Sequence, residues 1–297
     1  MHRWVVGNFT VDRIQELVTG GAYPSRLFVD YDPELYRKFP ELNDFAALDE
    51  NGREPSGVYH SWLLRNGNDR IIIDTGSGNG KQRSDPDSAG FGMLATRYLE
   101  HLAECGVQPE QVTHVVNTHL HVDHCGWNTT LREAAWVPTF PNATYYFGQK
   151  EYDSWLPGGE LFETQPDGHE VIADSVKPVV DSGQVLFVSE DDYVVPGLKV
   201  IAAPGHSVGH IALLLESIGE FALFTGDVMH RPAQIYDPNL NTRFCQDPET
   251  ARNTRRKVLD MAVYHKALVF PAHFPWPHAG RVNLVDGRFT YTPEEPQ

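Results

Sequence analysis

The apolar positions of this chain come in short runs closed by turn residues, the pattern of many strands rather than of long helices. Val58 to Leu64 and Arg70 to Asp74 flank Arg65-Asn66-Gly67-Asn68, whose Asn-Gly pair predicts a β-hairpin. Further strands are predicted at Val112 to Val116, within Pro141 to Phe147, at Val185 to Val188, Tyr193 to Val195, Leu198 to Ala203, Ile211 to Leu215, Glu220 to Phe224 and Ala267 to Pro271. Trp4 to Phe9 reads as a strand, followed by a polar turn and a few helical residues to Val18. Leu94, Tyr98, Leu99 and Leu102 have helical spacing that Gly106 stops, and His169 to Val180 has a short helical pattern. Asp247-Pro248-Glu249 reads as a helix start, with Asp247 the N-cap and Pro248 at the first helical position. Arg252, Arg255, Arg256 and Lys257 are expected on an exposed face of that helix. The tail from Leu284 to Gln297 carries no pattern that assigns an element.

Two stretches break the strand rhythm. Residues 20–57 are rich in Pro, Gly and Asp, with Tyr23, Phe28, Tyr31, Tyr36, Phe39 and Phe45 spaced too irregularly for a strand or a long helix. They read as a partly helical flap that either lines a pocket or a subunit contact, or is pinned by its own apolar anchors. Residues 148–165, with Tyr152, Trp155 and Leu161, are a second candidate pocket wall.

The chemistry concentrates between Asn117 and Asn128, N-T-H-L-H-V-D-H-C-G-W-N. His119, His121, Asp123 and His124 follow directly on an apolar run, so a strand would deliver them at a sheet edge. In an extended segment His119 and His121 point to the same side and can grip one ion, while Asp123 and His124, beyond a chain reversal, can serve a second. A lone histidine at a strand end is usually a packing residue. Imidazole and carboxylate at this density are what Zn, Fe or Mn require.

Composition narrows the classes. The 297 residues are 41% hydrophobic, enough for one large core, and a single domain over 1–297 is expected. With 24 Lys and Arg against 40 Asp and Glu the formal charge is −16, which disfavours a nucleic-acid partner. No run of about 18 apolar residues occurs, and the first residues lack the apolar core of a signal peptide, so no membrane contact and a cytoplasmic location are expected. Cys105, Cys125 and Cys245 have no paired spacing and supply no disulfide framework, as suits a reducing compartment.

The motif His119-x-His121-x-Asp123-His124 resembles the signature of the metallo-β-lactamase-fold hydrolases. Asp74 in I-I-I-D-T-G, His206 in A-P-G-H-S-V-G-H, Asp227 in F-T-G-D-V and His273 in F-P-A-H-F follow in the family's order, from about Ser56 to about Arg281. The resemblance implies an α+β fold, an αββα sandwich of two mixed β-sheets packed face to face with helices outside. It also implies two metals, two Zn2+ per chain with Fe or Mn also compatible. His119, His121 and His206 would bind one ion and Asp123, His124 and His273 the other, with Asp227 bridging. The Asp matching Asp74 braces the ligand loop in the family, and a carboxylate that accepts an imidazole N–H fixes the ring's tautomer. His210 is expected to pack or hydrogen-bond beneath the site.

Two cations about 3.5 to 4 Å apart lower the pKa of a bridging water to near neutrality and polarise a substrate oxygen, so no Ser or Cys nucleophile is required. His121 stands where flavodiiron oxidoreductases usually carry Glu, and the Asp227 bridge resembles lactonases, glyoxalase II and phosphodiesterases more than true β-lactamases. His230 stands three residues after Asp227, where acyl-homoserine lactonases usually have Tyr, which weighs against an acyl-homoserine lactone as the specific substrate. An imidazole there can stabilise an oxyanion or protonate a leaving group. The expected activity is hydrolysis of a small, fairly hydrophobic lactone or ester, with Asp123, Asp227 and His230 as catalytic residues. The alternatives are an organophosphate or thioester hydrolase on the same site, or a mononuclear iron dioxygenase of the persulfide dioxygenase type. The expected partner is a small-molecule substrate, and the aromatic stretches leave room for a homodimer.

Overall fold

The computed structural model describes residues 2–46, 48–54, 57–165 and 168–297. Ser56, where the resemblance begins, and residues 47 and 55 of the 20–57 stretch lie outside the described residues.

In chain order the strands are β1 (Arg3–Val6), β2 (Phe9–Val18), β3 (Val58–Asn66), β4 (Asp69–Ile73), β5 (His114–Asn117), β6 (Thr129–Arg132), β7 (Ala135–Pro138), β8 (Thr144–Gly148), β9 (Val185–Val188), β10 (Tyr193–Val195), β11 (Leu198–Ala202), β12 (Ile211–Ser217), β13 (Glu220–Gly226), β14 (Leu268–Pro271), β15 (Gly280–Val285) and β16 (Arg288–Pro293). One seven-stranded sheet runs β1-β2-β3-β4-β5-β8-β9, a second runs β10 to β16 in sequence order, and β6 and β7 form a separate hairpin. Both large sheets are mixed. β4, β5, β8 and β9 pair in parallel, as do β13 and β14, and the other pairings are antiparallel.

Alternation along the strands divides their side chains between layers. Trp4, Val11, Trp62, Leu64 and Ile73 of the first sheet meet Leu213, Leu215, Phe224 and Phe270 of the second in one buried cluster, the face-to-face core. The outer face of the first sheet buries Ile14, Leu63 and Ile72 under Tyr98, Leu102, Trp155 and Val176. The outer face of the second buries Leu223 and Val269 under Val258, Leu259 and Ala262 of the helix Pro248–His265. The molecule is therefore the expected αββα sandwich.

Three local readings are corrected. The residues after Phe9 form the ten-residue strand β2, not helix, because Gly7-Asn8 is a two-residue turn that brings Val6 opposite Phe9. The C-terminal tail forms β15 and β16 around Asp286-Gly287, both at positive φ, with Val285 opposite Arg288. Arg255 is not exposed. It is 1% accessible and donates from Nε to the Val228 carbonyl at 2.9 Å and from Nη1 to the Pro238 carbonyl at 2.8 Å. Its position four residues after Ala251 and three before Val258 puts it on the buried face of the helix. Asp247 does cap that helix, accepting from the backbone N–H groups of Glu249 and Thr250.

The 20–57 stretch contains short helices at Pro24–Leu27, Leu35–Lys38 and Asn43–Ala46. Phe28 and Tyr36 are buried, and Phe39 and Phe45 pack against Tyr236. These aromatics serve as anchors, and among the described residues of the stretch Leu27 and Gly57 reach the central cavity.

Candidate metal centre

β4, β5, β11, β13 and β14 run in one direction within the sandwich, so the loops at their carboxyl ends gather at one edge. Each loop carries one part of the site: Asp74, the 119–124 cluster, His206, Asp227 with His230, and His273. The chain reverses over 121–124, closed by His124 N donating to the His121 carbonyl at 3.1 Å, the reversal expected at Asp123 and His124. His119 faces the site through Nε2 and His121 through Nδ1.

The first group is His119, His121 and His206. His119 Nε2 lies 3.0 Å from His121 Nδ1 and 3.2 Å from His206 Nε2, and His206 Nε2 lies 3.0 Å from His121 Nδ1. The second is Asp123, His124 and His273. His124 Nε2 and His273 Nε2 are 3.3 Å apart, with Asp123 Oδ1 3.6 Å from the former and Oδ2 3.5 Å from the latter. Asp227 lies between the groups. Its Oδ2 is 3.3 Å from both His206 Nε2 and His124 Nε2, and its Oδ1 is 3.0 Å from His273 Nε2.

Backing hydrogen bonds orient these rings. Asp74 Oδ2 accepts from His124 Nδ1 at 3.0 Å, and the Val58 carbonyl accepts from His273 Nδ1 at 2.9 Å, so both rings turn Nε2 inward. Asp74 also accepts from Thr118 N at 2.7 Å and from Thr118 Oγ1 at 2.9 Å, and holds a φ of 56°, a backbone conformation that costs free energy in a non-glycine residue. His210 Nε2 accepts the Asp227 backbone N–H at 3.1 Å, which places this ring beneath the site as expected. Gly226, at φ 48°, lets that contact form, because a Cβ there would lie 2.7 Å from His210 Nε2.

Electrostatics follow from burial and charge. Burial pushes His119 and His206 well below the ordinary histidine range, leaving neutral imidazoles. Burial acts the same way on His124, but Asp227, Asp123 and Asp74 outweigh it and hold that ring well above its usual value. His273 is likewise raised by Asp227 and Asp123 against the effect of burial. Asp227 is held well below the carboxylate range by the surrounding imidazoles, although burial alone would raise it.

This donor set fits divalent metal. Three ring nitrogens at 3.0–3.2 Å from one another cannot all satisfy each other as donors and acceptors. Zinc ligands at about 2.0–2.1 Å in tetrahedral geometry would stand about 3.3 Å apart. The protons that carboxylates draw onto His124 and His273 occupy the position a cation would take.

His230 lies against this centre. Its Nε2 is 3.1 Å from Asp227 Oδ2, its ring stacks on His273 at 5.4 Å between centroids, and its Nδ1 is buried without a hydrogen-bond partner among the described residues. Burial lowers its pKa despite Asp227, so the neutral ring donates through Nε2. Above these histidine and aspartate groups is a cavity of about 570 Å³ whose wall includes Tyr59, Phe91, Leu120, Val122, Trp155 and Phe244. Trp155 and Gln165 bring the 148–165 stretch to its wall.

Several supporting residues escape sequence reasoning because their partners are distant in the chain. Glu151 Oε1 accepts from Leu120 N at 3.1 Å and Oε2 from Ser207 Oγ at 2.7 Å and Gly209 N at 3.1 Å, tying the two histidine loops together. Glu16 accepts from Ser77 N, Gly78 N and Trp127 Nε1 at 2.6, 3.0 and 2.7 Å, bracing the loop after Asp74. Arg231 Nη1 donates to the carbonyls of His230 and His273 at 3.0 and 2.8 Å, and Gln234 Oε1 accepts from His230 N at 2.7 Å. The period-two burial of β2, which places Glu16 on its buried positions, is the one local signal that could have marked any of these acids.

The family model of the metallo-beta-lactamase superfamily matches residues 56–273. An N-acyl homoserine lactonase of Bacillus cereus is 25% identical over 223 residues, 71% of this chain and 79% of that protein. The N-acyl homoserine lactonase AiiA of Bacillus thuringiensis subsp. kurstaki is also 25% identical, and there the chain spans 62% of the relative's length. The thioesterase pkgB of Emericella nidulans is 26% identical over 71% of this chain and 50% of its own length. Among solved structures, the hydrolase AbOPH superposes with a TM-score of 0.79 at 24% identity, covering 100% of this chain and 98% of that one. AidC, a dizinc quorum-quenching lactonase in complex with N-hexnoyl-L-homoserine, superposes with a TM-score of 0.73 at 18% identity, covering 99% and 97%. At these identities the structural matches speak to fold, and that fold, together with the model spanning both ligand-bearing halves, makes the chain a member of the metallo-beta-lactamase superfamily.

Proposed function

We propose that this chain hydrolyses the ester bond of a small, partly apolar substrate, a lactone or a linear ester, with two zinc ions per chain. The observation that carries the reading is the convergence of eight side chains able to ligate a metal, the seven assigned below and His230, in adjoining groups at the floor of a cavity whose wall includes Tyr59, Phe91, Leu120, Val122, Trp155 and Phe244. Its volume, about 570 Å³, is that of a small-molecule site. A cation pair in such a site supplies a water deprotonated near neutral pH and a polarised carbonyl oxygen. His119, His121 and His206 would hold one ion, Asp123, His124 and His273 the other, with Asp227 between them.

The chain's own residues have distinct tasks. Asp227, between the two groups, would neutralise charge on both sides. Asp123, whose side chain keeps 14% exposure towards the cavity, is the carboxylate positioned to take up a proton during attack. His230 Nε2–H, which rests on Asp227 Oδ2 at 3.1 Å, would turn from that carboxylate to the developing oxyanion or the leaving oxygen. Tyr59, Phe91 and Phe244 exclude water from the acyl group. The relatives named as lactonases and a thioesterase favour acyl transfer to water as the reaction class.

The test is metal content together with turnover of a panel of lactones, aryl esters, thioesters and phosphotriesters. Close to two zinc per chain and hydrolysis of an acyl substrate are expected. One iron per chain with oxygen uptake would overturn the reading in favour of a dioxygenase.

A further inference from the structure

β3 runs antiparallel to β4, so its first residues lie beside the carboxyl end of β4, at the edge that carries the ligand loops. The Val58 carbonyl holds His273 there. Trp62 and Leu64 of β3 face the second sheet and Leu63 faces away from it, so Tyr59, four residues before Leu63, lies on the outward side. Its ring packs in T arrangements on Phe91 at 5.2 Å and on His273 at 5.1 Å between centroids. Two neighbours thus fix the ring where the cavity wall meets the metal edge.

Three hydroxyl side chains line the cavity among the described residues, those of Tyr59, Ser88 and Thr164. Ser88 Oγ donates to the Asp85 carbonyl at 3.3 Å and Thr164 Oγ1 to the Glu160 carbonyl at 2.7 Å. Trp155 Nε1 on the same wall likewise donates to Glu151 Oε1 at 3.1 Å. The Tyr59 hydroxyl has no hydrogen-bond partner among the described residues, and unlike the side-chain amide of Gln246, which is shielded from water, it is open to the cavity. Burial foremost, with Asp123 and Asp227 acting against Arg231, holds this phenol above its ordinary pKa, so it keeps its proton at neutral pH.

We propose that Tyr59 is a catalytic residue whose O–H donates to the substrate's carbonyl oxygen as negative charge builds on it, which leaves His230 for the leaving oxygen. The proposal rests on the ester-hydrolysis reading above. The phenol proton is retained throughout: the hydrogen bond strengthens as the carbonyl becomes a tetrahedral oxyanion and relaxes when the bond to the leaving oxygen breaks.

Tyr59→Phe in the metal-loaded protein tests this, because it removes one oxygen and keeps the ring on Phe91 and His273. kcat should fall about 10- to 100-fold, the worth of one hydrogen bond to a charged oxygen, with metal content and Tm unchanged. The loss should be equal for good and poor leaving groups, whereas His230→Phe should spare the good ones. An alkylphosphonate that mimics the tetrahedral oxyanion, titrated by calorimetry, should lose affinity by the same factor while KM changes little. That titration needs no turnover, so it decides the role of Tyr59 even if the wild type hydrolyses no acyl substrate, the result that would sink the ester reading itself. A wild-type kcat in Tyr59→Phe, phosphonate bound as tightly as by the wild type, or a loss confined to poor leaving groups would each overturn the proposal.

Discussion

Asp74 holds His124 through a buried hydrogen bond of 3.0 Å from imidazole Nδ1 to carboxylate Oδ2, from a backbone position that glycine would occupy more readily. That bond fixes which nitrogen of His124 faces the site. Asp74→Asn preserves shape but replaces one acceptor oxygen by a donor. Metal affinity is expected to fall about 10- to 100-fold, measured by chelator competition. An unchanged affinity would reduce Asp74 to a residue that only shapes its loop.

His121→Ala should remove turnover and the metal-dependent part of thermal stability together. A metal bound only by the folded state contributes about 2.7 kcal/mol at a hundredfold excess over its dissociation constant. Melting curves with and without added zinc read this directly. A variant that still gains the full stabilisation and turns over normally would remove His121 from the ligand set.

His230→Phe keeps a flat ring against His273 and removes both nitrogens. Turnover should fall about a hundredfold or more at unchanged metal content, the order associated with loss of one positioned proton or oxyanion donor. If the role is protonation, substrates with good leaving groups should suffer least. Wild-type rates across the series would assign the ring to packing alone.

Arg231 connects the 20–57 stretch to the metal edge. Its Nε lies 3.5 Å from Glu54 Oε2, and Glu54 Oε1 in turn accepts from Tyr36 OH at 2.9 Å. Arg231→Met strands Glu54 in a buried site and frees the carbonyls of His230 and His273, so a loss of about 3 kcal/mol in denaturant unfolding is expected. Adding Glu54→Gln should restore part of the stability without restoring turnover. Additive losses in the double variant would show that the two side chains are not coupled.

Away from the site, burial pushes the Lys81 ammonium down to about 8, although Asp174 raises it and Lys81 Nζ donates to Thr129 Oγ1 at 2.7 Å. Unfolding restores an ordinary lysine. Below pH 8 folded and unfolded forms are both protonated, and the cost of burying the charge is carried in full. Between about pH 8 and 10.4 the unfolded chain binds more protons, so stability rises with pH, by up to ~3 kcal/mol for this group. The difference between wild type and Lys81→Met should therefore change across that window, and a flat difference would show that the ammonium is not perturbed.

The parts legible in the sequence are those encoded locally. His119 to His124 lie in one six-residue stretch directly after an apolar strand, and Asp227 and His273 each follow one, so their shared edge can be read from strand periodicity. Asp247 caps its helix through bonds two and three residues away. Arg255 misleads because residue type argues for solvent while its spacing, in register with Ala251 and Val258, argues for the core, and burial wins through three acceptors. The Asp286-Gly287 turn was a readable hairpin signal within the tail. Glu151 had no such local mark, since its partners Leu120 and Ser207 are 31 and 56 positions away.

That glutamate has a consequence for motion. One carboxylate accepts from Leu120 on a loop of the first sheet and from Ser207 and Gly209 on a loop of the second, and Gly209 rides so close to the Glu151 backbone that a side chain there would collide. The two sheets are thus latched at the end that holds the histidines. An opening that parts them there must release the Leu120 and Gly209 amides together, so the two are expected to exchange with solvent deuterons as one event, and the same opening moves His119, His121 and His206 apart.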